Sequence, residues 1–251
     1  MTELAYLAGN DAAYERTFRA RVTALPPGGV VLDRTFFYPE GGGQPADRGT
    51  LTPEDGRPRS VVDVLRSGPH VVHRLDRDRT APPLRVGEEI TGAIDWDRRY
   101  RHMRLHTLQH LLSARIFERI GRRTRQARFA GDAGTIDLDG PWPDSESLDE
   151  LTRDLAERIR QARPVRIGFV PRAEWDRAPA PRSGRVPLAP QVDPVRVVEI
   201  DALDRCPCGG THVRSTGELG GIVLYAPSPL PGPACRLPFS RTEGEPSTPA
   251  A

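Results

Sequence analysis

With 251 residues, of which 37% are hydrophobic and 28% charged, the chain can bury the core of one large domain or two modest ones, and two are expected. It has no run of about 18 consecutive apolar residues, and its opening stretch, MTELAYLAGNDAAYERTF, has no basic segment followed by an apolar one, so a cytoplasmic protein is expected. The net charge of +2 conceals an unusual basic set: all 36 basic residues are arginine, which together with 26 prolines and 24 glycines mainly reflects a GC-rich genome, although guanidinium forks also match phosphate geometry.

Residues 14–95 read as β-rich. TFRARVTAL places Phe18, Ala20, Val22 and Ala24 on one side of a strand, GGVVLDRTFFYP follows a Pro-Gly-Gly turn, RSVVDVLRSGPHVVHRL divides into two strands around Ser67-Gly68, and EEITGAIDW adds another. Several short strands with turn signals and no long helix predict a small β-barrel over residues 1–95. A helix then opens with Asp97 as N-cap and closes at Gly121, with Met103, Leu108, Leu111, Leu112, Ile116 and Ile120 at helical spacing. RQARFAG and GTIDLDG read as two strands. A second helix opens at Ser147, has Glu150 three residues on as in a capping box, and carries Leu148, Leu151, Leu155 and Ile159 toward Pro164. VRIGFV, a proline-rich connection from Arg177 to Pro194, VRVVEI, CPCGGTHV, GGIVLY and ACRLPF complete the order. Strands and helices mix without βαβ alternation, so the fold class is α+β, with a mostly antiparallel sheet packed on helices over residues 96–240. Residues 241–251 are expected to be a disordered tail.

The chemistry concentrates in two stretches. On the first helix, His102, His106 and His110 recur at i, i+4 and i+8, so they share one stripe. His106 and His110 sit where the helix turns apolar and are the favoured pair, whereas His102 lies in the arginine-rich turn. In CPCGGTHV, Gly209 and Gly210 are expected to take positive φ and bring Cys208 and His212 to one point, with Cys206 as a neighbour because it must reach farther. Three cysteines, two of them at Cys206 and Cys208, make a poor disulfide framework and favour a metal or reactive thiol. Two nitrogens from a helix with one sulfur and one nitrogen from a turn suit a single tetrahedral Zn²⁺. Four protein ligands favour a structural metal by count. Thr107 stands where an HExxH protease has its glutamate, which excludes that class.

HTLQHLLSA, the later CGGTHV and the earlier FFYPEGGGQPADRGTL, in that order and spanning residues 14–225, resemble the AlaX-type alanyl-tRNA editing proteins in their medium-length form, relatives of the editing domain of alanyl-tRNA synthetase. The resemblance implies hydrolysis of the ester joining a wrong amino acid to the acceptor end of a tRNA, with seryl- or glycyl-tRNA(Ala) as the default substrate. It implies zinc ligands at His106, His110, Cys208 and His212, and a Gly-Gly-Gln segment at Gly42, Gly43 and Gln44 facing the pocket. Gln44 and Gln126 are the catalytic candidates, and Thr211 joins the substrate-binding set. Arg98, Arg99, Arg101 and Arg104, beside an aromatic in DWDRRYRHMRLH, are expected to contact RNA phosphates. The segment YAPSPLPGPACRLPF departs from the basic hairpin with which such proteins usually end. Alternatives are a deacylase for a tRNA charged with a non-standard residue such as fluorothreonine, and a non-catalytic tRNA-binding protein with a structural zinc.

Overall fold

The computed structural model describes residues 1–54, 56–76, 82–178 and 188–243. The chain divides into two units, Met1–Arg101 and His102–Ala251. The first unit contains β1 (Glu3–Leu4), α1 (Asn10–Tyr14), β2 (Thr17–Ala24), β3 (Gly29–Leu32), β4 (Arg34–Thr35), β5 (Gly49–Pro53), β6 (Arg59–Ser67), β7 (His70–Leu75) and β8 (Glu89–Ile94). Six strands pair in a closed circuit, β2-β3-β7-β6-β5-β8, and every ladder in it is antiparallel.

Alternation drives this arrangement. In β2, Phe18, Ala20 and Val22 point inward while Thr17, Arg19 and Arg21 face water. Ala24, expected on the same inner side, is exposed, because the register against β3 slips between Val22 and Ala24. The interior is filled by Phe18, Val30, Leu32, Phe37, Leu51, Val61, Val64, Val71 and Ile90. The seam between β5 and β8 requires glycine at position 49, since a Cβ there would lie 2.1 Å from the carbonyl oxygen of Ala93.

One polar ring is sealed inside. His73 is fully buried, with Nδ1 3.1 Å from the Val30 carbonyl oxygen and Nε2 2.8 Å from Thr35 Oγ1. A carbonyl only accepts, so Nδ1 carries the proton and Nε2 accepts from the Thr35 hydroxyl. Burial pushes this imidazole down to about 4.

The second unit begins within α2 (Trp96–Ile120). It continues through β9 (Thr124–Ala130), β10 (Ala133–Leu138), α3 (Leu148–Arg160), β11 (Val165–Val170), α4 (Arg172–Arg177), β12 (Val195–Ile200), β13 (Asp204–Pro207), β14 (Gly221–Leu224), β15 (Ser228–Leu230) and β16 (Ala234–Thr242). One antiparallel sheet runs β14-β16-β10-β9, with β15 also on β16, and a second runs β11-β12-β13. Among the described residues the architecture is therefore mixed α and β with mostly antiparallel sheets.

Helix α2 starts earlier than the sequence suggested. Asp95 Oδ1 accepts from the Arg98 amide at 3.2 Å, so Asp95 is the cap, and Asp97 lies in the first turn. Gly121 closes the helix at φ 67°, its amide donating to the Phe117 carbonyl at 2.9 Å. From His102 to Arg115 nearly every side chain is buried, including Thr107, Gln109 and Ser113, so α2 is a core helix rather than a one-faced one. In α3 the Ser147 side chain accepts from the Glu150 amide, and Leu151, Leu155 and Ile159 face inward.

Two boundaries differ from expectation. Arg241 and Thr242, assigned to a tail, pair with Ile222 and Gly221 in the β14–β16 ladder, and Arg241 is buried against Asp132 at 2.8 Å. The rest of the expected tail, 244–251, lies outside the described residues, as does 179–187 of the proline-rich connection. That connection starts inside α4, which was not anticipated.

Candidate metal centre

Within the second unit, α2 delivers His106 and His110 one turn apart, with ring centroids 5.0 Å from each other. The other two donors arrive on the segment after β13. There the Cys208 amide donates to the Arg196 carbonyl at 3.3 Å, and the Arg196 guanidinium donates back to the Cys208 carbonyl, pinning the start of the turn to β12. His212 then packs against both helix histidines, at centroid distances of 4.4 and 4.7 Å. The turn does not work as expected, however. Neither Gly209 nor Gly210 is among the left-handed glycines, and Gly210 instead contributes its amide, which donates to Cys208 Sγ at 3.3 Å.

His106, His110, Cys208 and His212 bring one donor atom each to within 4.8 Å of one another. Cys208 Sγ lies 3.5 Å from His106 Nε2 and 3.3 Å from His212 Nε2. A tetrahedral zinc with ordinary Zn–N and Zn–S bonds has N···S edges of about 3.5 Å. The donors thus fit that ion, as does their mixed nitrogen and sulfur chemistry.

Charge balance separates the two neighbouring cysteines. Burial raises the Cys208 thiol, but the neighbouring imidazoles of His106, His212 and His110 and the bond to His106 outweigh it and bring it well below its ordinary range. Cys206 is pushed up to about 11, chiefly by burial, and stays a thiol. Its Sγ donates to Asp204 Oδ2 at 3.3 Å and touches His110 Nδ1 at 3.1 Å. Burial and the charge of His106 hold His212 down to about 3, leaving it a neutral donor. Burial opposes the charge on His110, but the sulfurs and Asp204 prevail and raise it well above its ordinary value.

Two residues beside the ligands acquire a role that the sequence did not show, and a third polar residue is buried on the same helix. Thr107 Oγ1 donates to the Met103 carbonyl at 3.0 Å and lies 3.0 Å from His212 Nδ1, while also accepting from the Val213 amide at 3.3 Å. Asp204 Oδ2 lies 3.4 Å from His110 Nδ1. Ser113 Oγ joins Thr124 Oγ1 at 2.6 Å and accepts from Gln109 at 2.8 Å. Thr107 was visible as the residue that breaks HExxH; an acid two positions before a cysteine carries no comparable signal.

The remaining candidates scatter. Gln126 is exposed on β9 and accepts from Arg128 at 2.7 Å. Thr211 is fully buried beside His212 in sequence. In the first unit, Gly42 and Gly43 take φ of 58° and 83° in a tight loop closed by mutual Gly41 and Gln44 backbone bonds, and the Gln44 side chain is fully buried. Arg99, expected to contact phosphate, is instead sealed in the first unit with no exposed side-chain surface, paired with an equally buried Asp47. Its Nη1 donates to the Ala13 carbonyl at 2.9 Å and its Nη2 to the Phe36 carbonyl. The apolar surroundings require that partner, so Arg99 is a structural cation. Arg98 is half-buried, its Nε donating to the Ala46 carbonyl at 2.9 Å, and Arg104 Nη1 lies 3.8 Å from Glu243. Arg101 is partly exposed on the same helical turn.

Comparison with known proteins places this geometry in context. A profile described as tRNA synthetases class II (A) matches residues 11–98, and one described as threonyl and alanyl tRNA synthetase second additional domain matches residues 195–231, which contain Cys208 and His212. The chain is 37% identical over 227 residues to the alanyl-tRNA editing protein AlaX-M of Saccharolobus solfataricus, covering 89% of this chain and 92% of that one. It is 35% identical over 230 residues to the AlaX-M protein of Methanosarcina barkeri, with the same coverage. It is also 40% identical to the alanine–tRNA ligase of Pyrobaculum aerophilum, over 84% of this chain and 24% of that enzyme. No described helix is long and apolar enough to cross a membrane.

Proposed function

This chain belongs to the AlaX-M family of alanyl-tRNA editing proteins, and from that premise we propose that it hydrolyses the ester of a mischarged tRNA in trans. Water adds to the aminoacyl carbonyl and the terminal ribose oxygen leaves, giving free amino acid and uncharged tRNA. The reading is carried by the convergence of His106, His110, Cys208 and His212 on one point in a chain alike over nearly its whole length to those editing proteins. Zinc held there supplies a positive centre that polarises an oxygen or receives the substrate's amino group.

The chain's own groups do the rest. Cys208 and His212, with His106 and His110, are the residues that would hold the ion. In the second unit Gln126, exposed on β9, hydrogen-bonds the aminoacyl end in this reading, whereas Gln44 and Thr211 are fully buried and present no surface to a substrate. Arg98, Arg101 and Arg104 receive phosphates of the acceptor stem; Arg99 has no part in this. Serine and glycine on tRNA(Ala) are the default substrates, because a synthetase site sized for alanine cannot exclude glycine by size and rejects serine weakly.

The deciding experiment is a deacylation panel of tRNA(Ala) charged with serine, glycine or alanine and of tRNA(Thr) charged with fluorothreonine, each with and without a chelator. Turnover of seryl- or glycyl-tRNA, sparing of alanyl-tRNA, and recovery when zinc is returned are the expected results. Turnover of fluorothreonyl-tRNA alone transfers the assignment to a non-standard residue. Four donors saturate a tetrahedral ion, which specifically favours the rival reading of a tRNA-binding protein with a structural zinc. That reading prevails if no tRNA is turned over yet all are bound.

A further inference from the structure

We infer that Thr107 and Asp204 are positioning residues that lock the tautomers of His212 and His110, so that each ring is built to offer Nε2 to a metal. The inference rests on the zinc reading of the site. Thr107 sits in the buried middle of α2 and its hydroxyl has a single proton, which goes to the Met103 carbonyl at 3.0 Å. The same oxygen lies 3.0 Å from His212 Nδ1 and can therefore only accept there. His212 must carry its proton on Nδ1, which leaves the Nε2 lone pair pointing at the Cys208 sulfur, 3.3 Å away. The Val213 amide, donating to the same oxygen at 3.3 Å, ties the turn to the helix at this point.

His110 is held in the opposite corner by the same logic. Its Nδ1 faces Asp204 Oδ2 at 3.4 Å and Cys206 Sγ at 3.1 Å. Cys206 gives its own proton to the same carboxylate oxygen, so the sulfur and the carboxylate both present acceptors to Nδ1. Asp204 is fully buried at the side chain and brings the negative charge that fixes an Nδ1–H. Cys206 is thus assigned as a lining group behind the ligand His110, which explains a second cysteine next to Cys208 that is not itself a ligand.

Zinc affinity by competition with a chromophoric chelator, metal stoichiometry, and ¹⁵N-histidine NMR of the zinc-free full chain test this together. Thr107→Val and Asp204→Leu are expected to weaken zinc binding by about 10–100-fold, whereas Thr107→Ser, which keeps the hydroxyl, and Asp204→Asn, which keeps an acceptor, stay nearer the wild type. In wild type His212 is expected to show one tautomer, protonated on Nδ1, and in Thr107→Val a mixture. If Asp204→Leu fails to fold, the Thr107 pair decides alone. Unchanged affinity in both Thr107→Val and Asp204→Leu overturns the inference, and so do two zinc ions per chain, because His110 Nδ1 would then be a ligand. A wild type that binds no zinc defeats the zinc reading instead; the NMR still tests the positioning, which a mixed His212 tautomer would refute.

Discussion

Replacing Arg99 separates a structural cation from an RNA contact. In Arg99→Met the Asp47 carboxylate keeps only the Tyr38 amide, at 2.6 Å, among its named donors, and the Ala13 and Phe36 carbonyls lose theirs. Both side chains of the pair have no exposed surface, so water cannot take over without opening the first unit. Stranding one member of such a pair costs about 3–5 kcal/mol. With a urea slope of about 2 kcal/mol per M, the unfolding midpoint of the first unit falls by roughly 1.5–2.5 M. Urea titration of the full chain at fixed zinc, followed by circular dichroism, reads this, and Arg99→Met with Asp47→Leu should lose less than Arg99→Met alone, since both charges leave together. A midpoint that hardly moves, accompanied by weaker tRNA binding, would refute the reasoning and restore Arg99 to the RNA surface.

Four further outcomes follow from the structure. His73 is held at about 4 in the folded chain against about 6.5 when unfolded, so its contribution is complete above pH 6.5 and is lost as the pH falls through 4, by about 3 kcal/mol in all. In urea titrations between pH 7 and 4, His73→Gln should show a flatter decline than wild type, and equal slopes would contradict the burial argument. Gly49→Ala drives a Cβ against the Ala93 carbonyl and should destabilise the first unit by about 2 kcal/mol or more in the same assay. Neutralising Arg101 should lower the salt dependence of tRNA binding by about one unit of log–log slope, measured by filter binding over a salt series. Cys208→Ser should lower zinc content by elemental analysis and deacylation with it; retention of both would remove Cys208 from the ligand set.

The parts of the fold that repeat were legible in the sequence. Period-two alternation in β2 and helical spacing in α2 and α3 report directly on which side of an element meets the core, and Gly121 and Ser147 mark ends through backbone geometry that few residues supply. Ligand spacing was equally local at each half of the site, in HTLQH and CGGTH. What stayed hidden depends on pairs distant in sequence. Arg99 looks like one more arginine in a basic turn until Asp47, 52 positions away, is folded against it. Thr107 acquires its role only when His212 arrives from 105 positions away, and Asp204 only when β13 lies against α2's His110. The cap moved from Asp97 to Asp95 because the sequence has acids at both positions, and only the direction of the Arg98 amide distinguishes them.

The donors of the metal centre are far apart in sequence, His106 and Cys208 being 102 positions apart. During synthesis at about 5–20 residues per second, the helix and its two imidazoles leave the ribosome several seconds before the sulfur does. A nascent chain halted before Cys208 has a weak two-nitrogen foothold for metal and nothing to close it. Capture of a metal by all four donors therefore waits until the turn after β13 has been made.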